Sequence, residues 1–404
     1  MTSPAGHSPR DFNVFLVAGE HSGDALGAKL MAALNAASGH GSVRSVRFDG
    51  VAGPLMEAQG MQSLFPMREV AVMGIGAIVR NLPRLMKRVY QTVDAAIVAK
   101  PDVVVIIDSP EFTHPIAKRI RKRDPKIPIV DYVSPSVWAW RPGRAKRMRA
   151  YVDHVLALLP FEPEAHRKLG GPPCTYVGHP LVERMPWIAG LDPAPLADRL
   201  GLDPDKPVLV VLPGSRSSEV KRLMQPFGAA LAQLGDTIGP FEMIMPVVES
   251  VRGLIEEGLS TWTQRPHLVS GEEDKYRAFK LGRAALAASG TVTLELALAG
   301  TPMIVAYKVD PIMMPVLRRL ITAETAVLVN HILGERAIPE LLQEYCTPTN
   351  IASALVPVML DTTSRMRQLE AVARVPAAMQ LPTGTPSEAA AAIVLRHAAE
   401  GRSG

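Results

Sequence analysis

A chain of 404 residues with 47% apolar and 21% charged content is longer than one hydrophobic core serves, so two folded domains are expected and disorder is excluded for most of it. Its two cysteines, Cys174 and Cys346, are far apart and lack metal-ligand spacing, which disfavours a disulfide framework or a zinc site and fits a reducing cytoplasm. The net charge of +5 is compatible with nucleic acid, an anionic bilayer or a phosphorylated substrate, while no run reaches the roughly 20 apolar residues of a membrane span and Met1 to Asp11 lacks a signal-peptide pattern.

The first predicted strand, Val14 to Ala18, leads into Gly19-Glu20-His21-Ser22-Gly23-Asp24-Ala25-Leu26-Gly27. This reads as a buried strand entering a turn that opens a helix, where α/β sheets bind phosphates or sugars. The three glycines permit close backbone approach to a ligand, and Ser22 and Asp24 either cap the helix or face that ligand. The spacing is not G-x-G-x-x-G and no acidic ribose-binder follows at the usual distance, so a nicotinamide cofactor is disfavoured.

From Met73 to Arg88 apolar residues alternate with cations in a pattern that Pro83 interrupts. Such a segment either covers the sheet as an ordinary helix or lays its apolar side on an anionic bilayer surface. The next strand, Val103 to Ile107, ends in Asp108-Ser109-Pro110-Glu111-Phe112-Thr113. Asp108 stands where open α/β sheets put ligands and is the candidate general base, with a helix cap or turn residue as the plain alternative. Further strands are predicted over Ile127 to Tyr132 and Val152 to Leu158. Between them lies Tyr132-Val133-Ser134-Pro135-Ser136-Val137-Trp138-Ala139-Trp140, followed by Arg141, Arg144, Lys146, Arg147 and Arg149. The indoles either stack on sugar or sit in the core; the cations either grip phosphate or form a solvated face.

Gly178-His179-Pro180 and the Pro-rich stretch from Pro186 to Pro207 mark the domain boundary, dividing the chain at 180/181. The second half repeats the alternation, with strands predicted over Val208 to Leu212, Phe241 to Pro246, Ala284 to Ala288 and Pro302 to Val309. Two turns here are ready for an anion. Pro213-Gly214-Ser215-Arg216 offers backbone N–H groups and a guanidinium, with Glu219 behind, and Ser289-Gly290-Thr291 opens a second helix. Glu295, one turn into that helix, either accepts both hydroxyls of a ribose or sits in water. Asp203 and Asp205 flank a proline in the linker rather than following a strand, so no metal is expected. The tail from Ser387 to Arg396 reads as an alanine-rich helix capped by Ser387. The expected fold class is α/β, two Rossmann-like doubly wound lobes with a cleft between them.

Taken together, five strings resemble the lipid-A-disaccharide synthase family in content and order: Ala18 to Gly27, Tyr132 to Trp140, Leu158-Leu159-Pro160-Phe161-Glu162, Leu212 to Arg216 and Ala288 to Thr291. The resemblance implies a GT-B fold with an acceptor lobe over 1–180, a donor lobe over 181–385 and a terminal helix, 386–404, crossing back to the first. It implies transfer of 2,3-diacylglucosamine from UDP to the 6-hydroxyl of 2,3-diacylglucosamine 1-phosphate, with no cofactor, no metal and no nucleic acid partner. The family can form dimers. The resemblance makes Asp108 the base, Arg216 the arginine beside the diphosphate, Glu295 the ribose carboxylate and Asn330 a residue near the nucleotide. Substrate contacts are expected from Glu20, Ser22, Gly23, Asp24, Ser215, Ser289, Gly290 and Thr291. The acylated substrates imply work at the cytoplasmic surface of the inner membrane, through Ile75, Ile78, Val79, Leu82 and Leu85. The chain departs from the family pattern at Glu111 and Thr113, where Asp and Asn are common, and at Val329, where Pro is common.

Overall fold

The computed structural model describes residues 10–39, 43–70, 75–310, 314 and 320–401, the side chains of 75–81 excepted. The chain divides into two compact units, Met1–Pro180 with Leu381–Gly404, and Leu181–Gln380. Each is built on one six-stranded, all-parallel sheet.

In the first unit the strands are β1 (Arg10–Ala18), β2 (Val43–Val51), β3 (Val103–Ile107), β4 (Ile129–Tyr132), β5 (His154–Ala157) and β6 (Cys174–Tyr176), in the order β2-β1-β3-β4-β5-β6. The helices are α1 (His21–Ala36), α2 (Pro54–Glu57), α3 (Ile75–Ala99), α4 (Pro110–Arg123), α5 (Gly143–Met148) and α6 (Glu162–Lys168). Every residue of β3 is buried, as a parallel strand covered on both faces must be. The first connection runs outward from β1 to β2 and the next returns past β1 to β3. The chain therefore reverses its winding between β1 and β3, and such a point is where doubly wound sheets bind ligands. Register sharpens the placement: Ala18 pairs with Ile107, so Gly19 and Asp108 leave the sheet side by side.

The second unit repeats this plan. Its strands are β7 (Val208–Leu212), β8 (Glu242–Pro246), β9 (His267–Val269), β10 (Ala284–Ala287), β11 (Met303–Tyr307) and β12 (Glu340–Leu342), ordered β12-β11-β10-β7-β8-β9. The helices used below are α7 (Pro180–Gly190), α8 (Ala194–Leu200), α9 (Ser217–Ile238), α10 (Arg252–Gly258), α11 (Glu272–Leu281) and α12 (Val292–Leu298). Here the winding reverses between β7 and β10, where Leu212 pairs with Ala287. The Pro-rich stretch expected to be irregular holds α7, with Pro186 inside it, and α8.

The terminal helix, Pro386–Gly401, packs on α1 and on β3, with Ala390, Val394 and Ala398 in the core of the first unit. Its cap is Thr385, not Ser387. Thr385 Oγ1 accepts from the Glu388 amide at 3.3 Å while the Glu388 carboxylate accepts from the Thr385 amide at 2.8 Å, a reciprocal box opened by a proline.

Candidate active site

At the β1/β3 crossing the Asp108 carboxylate is held from two sides. Ser22 Oγ donates to Oδ2 at 2.8 Å, and the Ser109 amide donates to Oδ1 at 2.8 Å. Asp108 and Ser109 both adopt left-handed backbone, with φ of 53° and 45°. Two consecutive non-glycine residues in that region cost on the order of 1–3 kcal/mol each and persist only where the surroundings impose them. Thr113 Oγ1 does so here, donating to the carbonyls of Asp108 at 2.8 Å and Ser109 at 3.1 Å. Thr113 is thus a backbone brace. Glu111 pairs with Arg144, whose Nη2 lies 2.8 Å from its Oε1.

The neighbouring glycine turn differs from expectation. A Cβ on Gly23 would sit 3.1 Å from the Ile107 carbonyl and one on Gly27 2.5 Å from the Met56 sulfur, so these glycines let α1 lie on the sheet and on α2. Gly23 has a packing role, which needs no ligand to explain the glycine. Asp24 is also reassigned. It is 1% exposed and its carboxylate accepts from the amides of Gly53, Leu55 and Met56 at 3.0–3.1 Å, capping α2 instead of α1 or a substrate. Glu20 begins α1 in extended backbone without a side-chain cap bond.

The Trp-containing string is bound to α6 by buried polar groups. Trp138 Nε1 lies 3.3 Å from Glu162 Oε1, the Leu159 amide donates to Oε2 at 3.0 Å, and Ser134 Oγ meets His166 Nε2 at 2.9 Å. Burial pushes Glu162 up to about 7 and His166 down to about 4, each favouring its neutral form. Trp138 packs edge-on against Phe161, whereas Trp140 lies under Arg141 with 4.3 Å between guanidinium and ring centroid. Of the residues expected to face a bilayer, Ile75, Ile78 and Val79 have side chains outside the described residues. Leu82 is 48% exposed, but Leu85 is 8% exposed and belongs to the core, because one face of α3 covers the sheet. The helix runs through Pro83.

In the second unit the ends of β7, β8, β9 and β10 surround a cavity of about 690 Å³. Ser215, Arg216, Ser289, Gly290, Thr291 and Glu295 all line it. Glu295 Oε1 accepts from Lys275 Nζ at 2.8 Å and from Tyr276 Oη at 2.9 Å, leaving Oε2 without a hydrogen bond among the described residues. Burial, followed by the Glu295 charge, raises the Tyr276 phenol well above its ordinary value, so it remains a donor.

The Gly214–Arg216 turn is already occupied from behind. Glu219 is buried, and its Oε2 accepts from the amides of Ser215 at 3.1 Å and Arg216 at 3.3 Å. These amides, expected to hold an anion, instead fix the turn to α9. Glu219 Oε1 accepts from Arg216 Nη1 at 3.0 Å and from Tyr307 Oη at 3.2 Å, which aims a guanidinium whose side chain is 67% exposed. Ser289 Oγ likewise turns inward, donating to the Ala326 carbonyl at 2.6 Å.

Asn330 is a second reassignment. It is buried, does not line the cavity, and spends its amide on the chain: Nδ2 donates to Ile338 O at 2.9 Å and Thr325 Oγ1 at 3.2 Å, while Oδ1 accepts from the Ile338 amide at 2.8 Å. A buried primary amide satisfied in this way clamps a loop. Sequence reasoning missed Val247, Val248, Ser270 and Lys275, which also line the cavity. Val247 and Val248 follow β8 without a Gly or Ser to mark a turn into a site, and Ser270 and Lys275 follow β9, whose three residues are too few to show a strand.

Two doubly wound units with polar turns at both reversals of winding define the GT-B class, and solved structures share this fold. A UDP-GlcNAc 2-epimerase from Neisseria meningitidis, solved with UDP-GlcNAc, matches with a TM-score of 0.59 at 12% identity over 96% of this chain and 99% of its own. The calicheamicin glycosyltransferase matches with a TM-score of 0.54 at 16% identity over 97% and 99%. At such identities the likeness extends to fold alone.

Within that class the chain belongs to the lipid-A-disaccharide synthetase family, whose model matches residues 14–394. It is 52% identical over 95% of both chains to a lipid-A-disaccharide synthase of Rhodopseudomonas palustris strain HaA2. It is 48% identical over 98% of its length to that of Bradyrhizobium diazoefficiens, covering 99% of the relative.

Proposed function

We propose that the protein is an inverting glycosyltransferase that moves 2,3-diacylglucosamine from UDP to the 6-hydroxyl of 2,3-diacylglucosamine 1-phosphate, giving a β(1→6) disaccharide and UDP. The carrying observation is near-full-length identity to lipid-A-disaccharide synthases in a chain that also holds the Asp108 carboxylate at the β1/β3 reversal. Asp108 accepts the proton of the acceptor hydroxyl, with Ser22 and the Ser109 amide fixing its orientation. General base catalysis of this kind contributes about 10²–10⁴-fold. The hydroxyl oxygen bonds to the anomeric carbon as the bond from that carbon to the β-phosphate oxygen breaks, and UDP leaves with the electron pair.

In the second unit Arg216 offsets charge gathering on the departing diphosphate, an interaction already aimed by Glu219 before substrate arrives. Glu295 Oε2 accepts the ribose hydroxyls, since Lys275 and Tyr276 occupy only Oε1. The enzyme works as a peripheral protein at the cytoplasmic surface of the inner membrane. No helix among the described residues is long and apolar enough to cross a membrane, and the start of α3 exposes Leu82 as well as Arg84 and Lys87. The test is mass-spectrometric product analysis with both acylated substrates in detergent micelles. A disaccharide 1-phosphate supports the proposal; conversion of the UDP-sugar without joining to the acceptor overturns it.

A further inference from the structure

We propose that the face shared by α4 and α5, which begins one helical turn beyond Asp108 and extends to Lys118, is a binding site for a phosphate monoester dianion carried by the acceptor. This rests on the transfer reading above. Glu111 and Lys118 are seven residues apart on α4 and so share one side of it, and Arg144 and Arg147 are three apart on α5. The two sides meet at two places. Arg144 Nη2 lies 2.8 Å from Glu111 Oε1, and Lys118 Nζ lies 5.0 Å above the ring of Tyr151, just past α5. Tyr151 Oη in turn meets His114 Nδ1 of α4 at 3.0 Å.

The shared face thus carries three cations and one carboxylate, with Arg144 paired to Glu111 and Lys118 and Arg147 further along it. The side chains of Lys118 and Arg147 have neither an ion pair nor a hydrogen bond among the described residues. Lys118 is held below the ordinary lysine range by burial first and then by the charges of Arg147 and Arg144, the mark of crowded like charges. Arg144 is the part of the arrangement built into the fold, while Lys118 and Arg147 are exposed and open to a ligand. The Arg144 side chain is only 16% exposed, and Trp140 lies within 6.0 Å of its guanidinium. Buried Asp131 of β4, the strand next to β3, lies 3.2 Å from His114 Nε2 and ties α4 to the sheet.

Two unbalanced positive charges call for a dianion; a carboxylate would neutralise one. Guanidinium and ammonium donors match phosphate oxygens well. The cluster begins one turn from Asp108, at Glu111, and runs two turns further along α4 to Lys118, so the phosphate it holds belongs to the molecule whose hydroxyl Asp108 deprotonates, and the two contacts together fix that molecule's direction.

The test uses the full chain carrying Lys118→Met or Arg147→Met, with glucosamine 1-phosphate and glucosamine as calorimetric probes and UDP as the control. Wild type is expected to prefer the phosphorylated sugar, and each variant to lose about tenfold of that affinity with UDP binding unchanged. In the transfer assay each variant raises the acceptor KM about tenfold and leaves kcat within threefold, and the effect vanishes with a dephosphorylated acceptor. Equal binding of the two sugars by wild type overturns the inference, as does unchanged preference in the variants. A loss seen only on phosphatidylglycerol vesicles also overturns it, assigning the cations to lipid headgroups. Charge-dependent sugar phosphate binding without disaccharide formation sinks the transfer reading and leaves this site standing; disaccharide formation without discrimination does the reverse.

Discussion

At the β1/β3 reversal the chain turns through Asp108 and Ser109, with φ of 53° and 45°, whereas the turns at the β7/β10 reversal bend at Gly214 and Gly290, with φ of 115° and 150°. Both turns follow buried parallel strands and both stand where winding reverses. The second uses glycine because its task is to open a cavity and present neighbours, so the bending residue needs no side chain. The first cannot, because the residue at the strained position is itself the carboxylate. In the proposed mechanism the base and the bend fall on one residue, and Ser22, Thr113 and the Ser109 amide hold it there.

Four substitutions bear on this contrast. Asp108→Asn keeps the shape and removes the base, so kcat for disaccharide formation falls by about 10²–10⁴-fold. Arg216→Ala lowers kcat by about 10²–10³-fold, and because its side chain is mostly exposed the urea midpoint scarcely moves. Ser109→Gly relieves a left-handed residue whose buried Oγ has no partner. The expected gain is about 0.5–1 kcal/mol in urea unfolding, set against the larger unfolded-state freedom of glycine; a loss of stability would show that the turn is not strained.

Glu162→Gln carries the smallest effect and reads the pH dependence. The folded-state value of this carboxyl is raised to about 7 from an ordinary 4.5, so its contribution is fully present below about 4.5 and lost as pH rises through about 7. Stability measured from pH 4.5 to 8 should fall less in the variant than in wild type. Parallel slopes would contradict the assignment.

Much of this architecture was legible because a parallel strand buried on both faces is written as a run of Val and Ile. Val103 to Ile107 and Val208 to Leu212 have the bounds the sequence predicts. The strands that escaped, β2, β6, β9 and β12, are the four sheet edges. β2 exposes the consecutive residues Arg44 and Ser45 and so breaks the period of two, and the other three have three residues each, too short for any period. In the site, residue type was visible and direction was not. Asp24, Glu219 and Asn330 are polar groups near turns, yet each spends its hydrogen bonds inside its own unit, Asp24 on backbone amides and Glu219 and Asn330 on backbone and side chains together. Only the folded chain distinguishes a group that braces a turn from one left open to a ligand, such as Glu295 Oε2.

The central claim is a division of labour, with proton removal at Asp108 in the first unit and nucleotide binding at Arg216 and Glu295 in the second. Calorimetric titration of the Asp108→Asn protein with UDP tests it most directly. An affinity within twofold of wild type, in a protein that no longer forms the disaccharide, is the predicted result; a tenfold or greater loss of UDP affinity would contradict it.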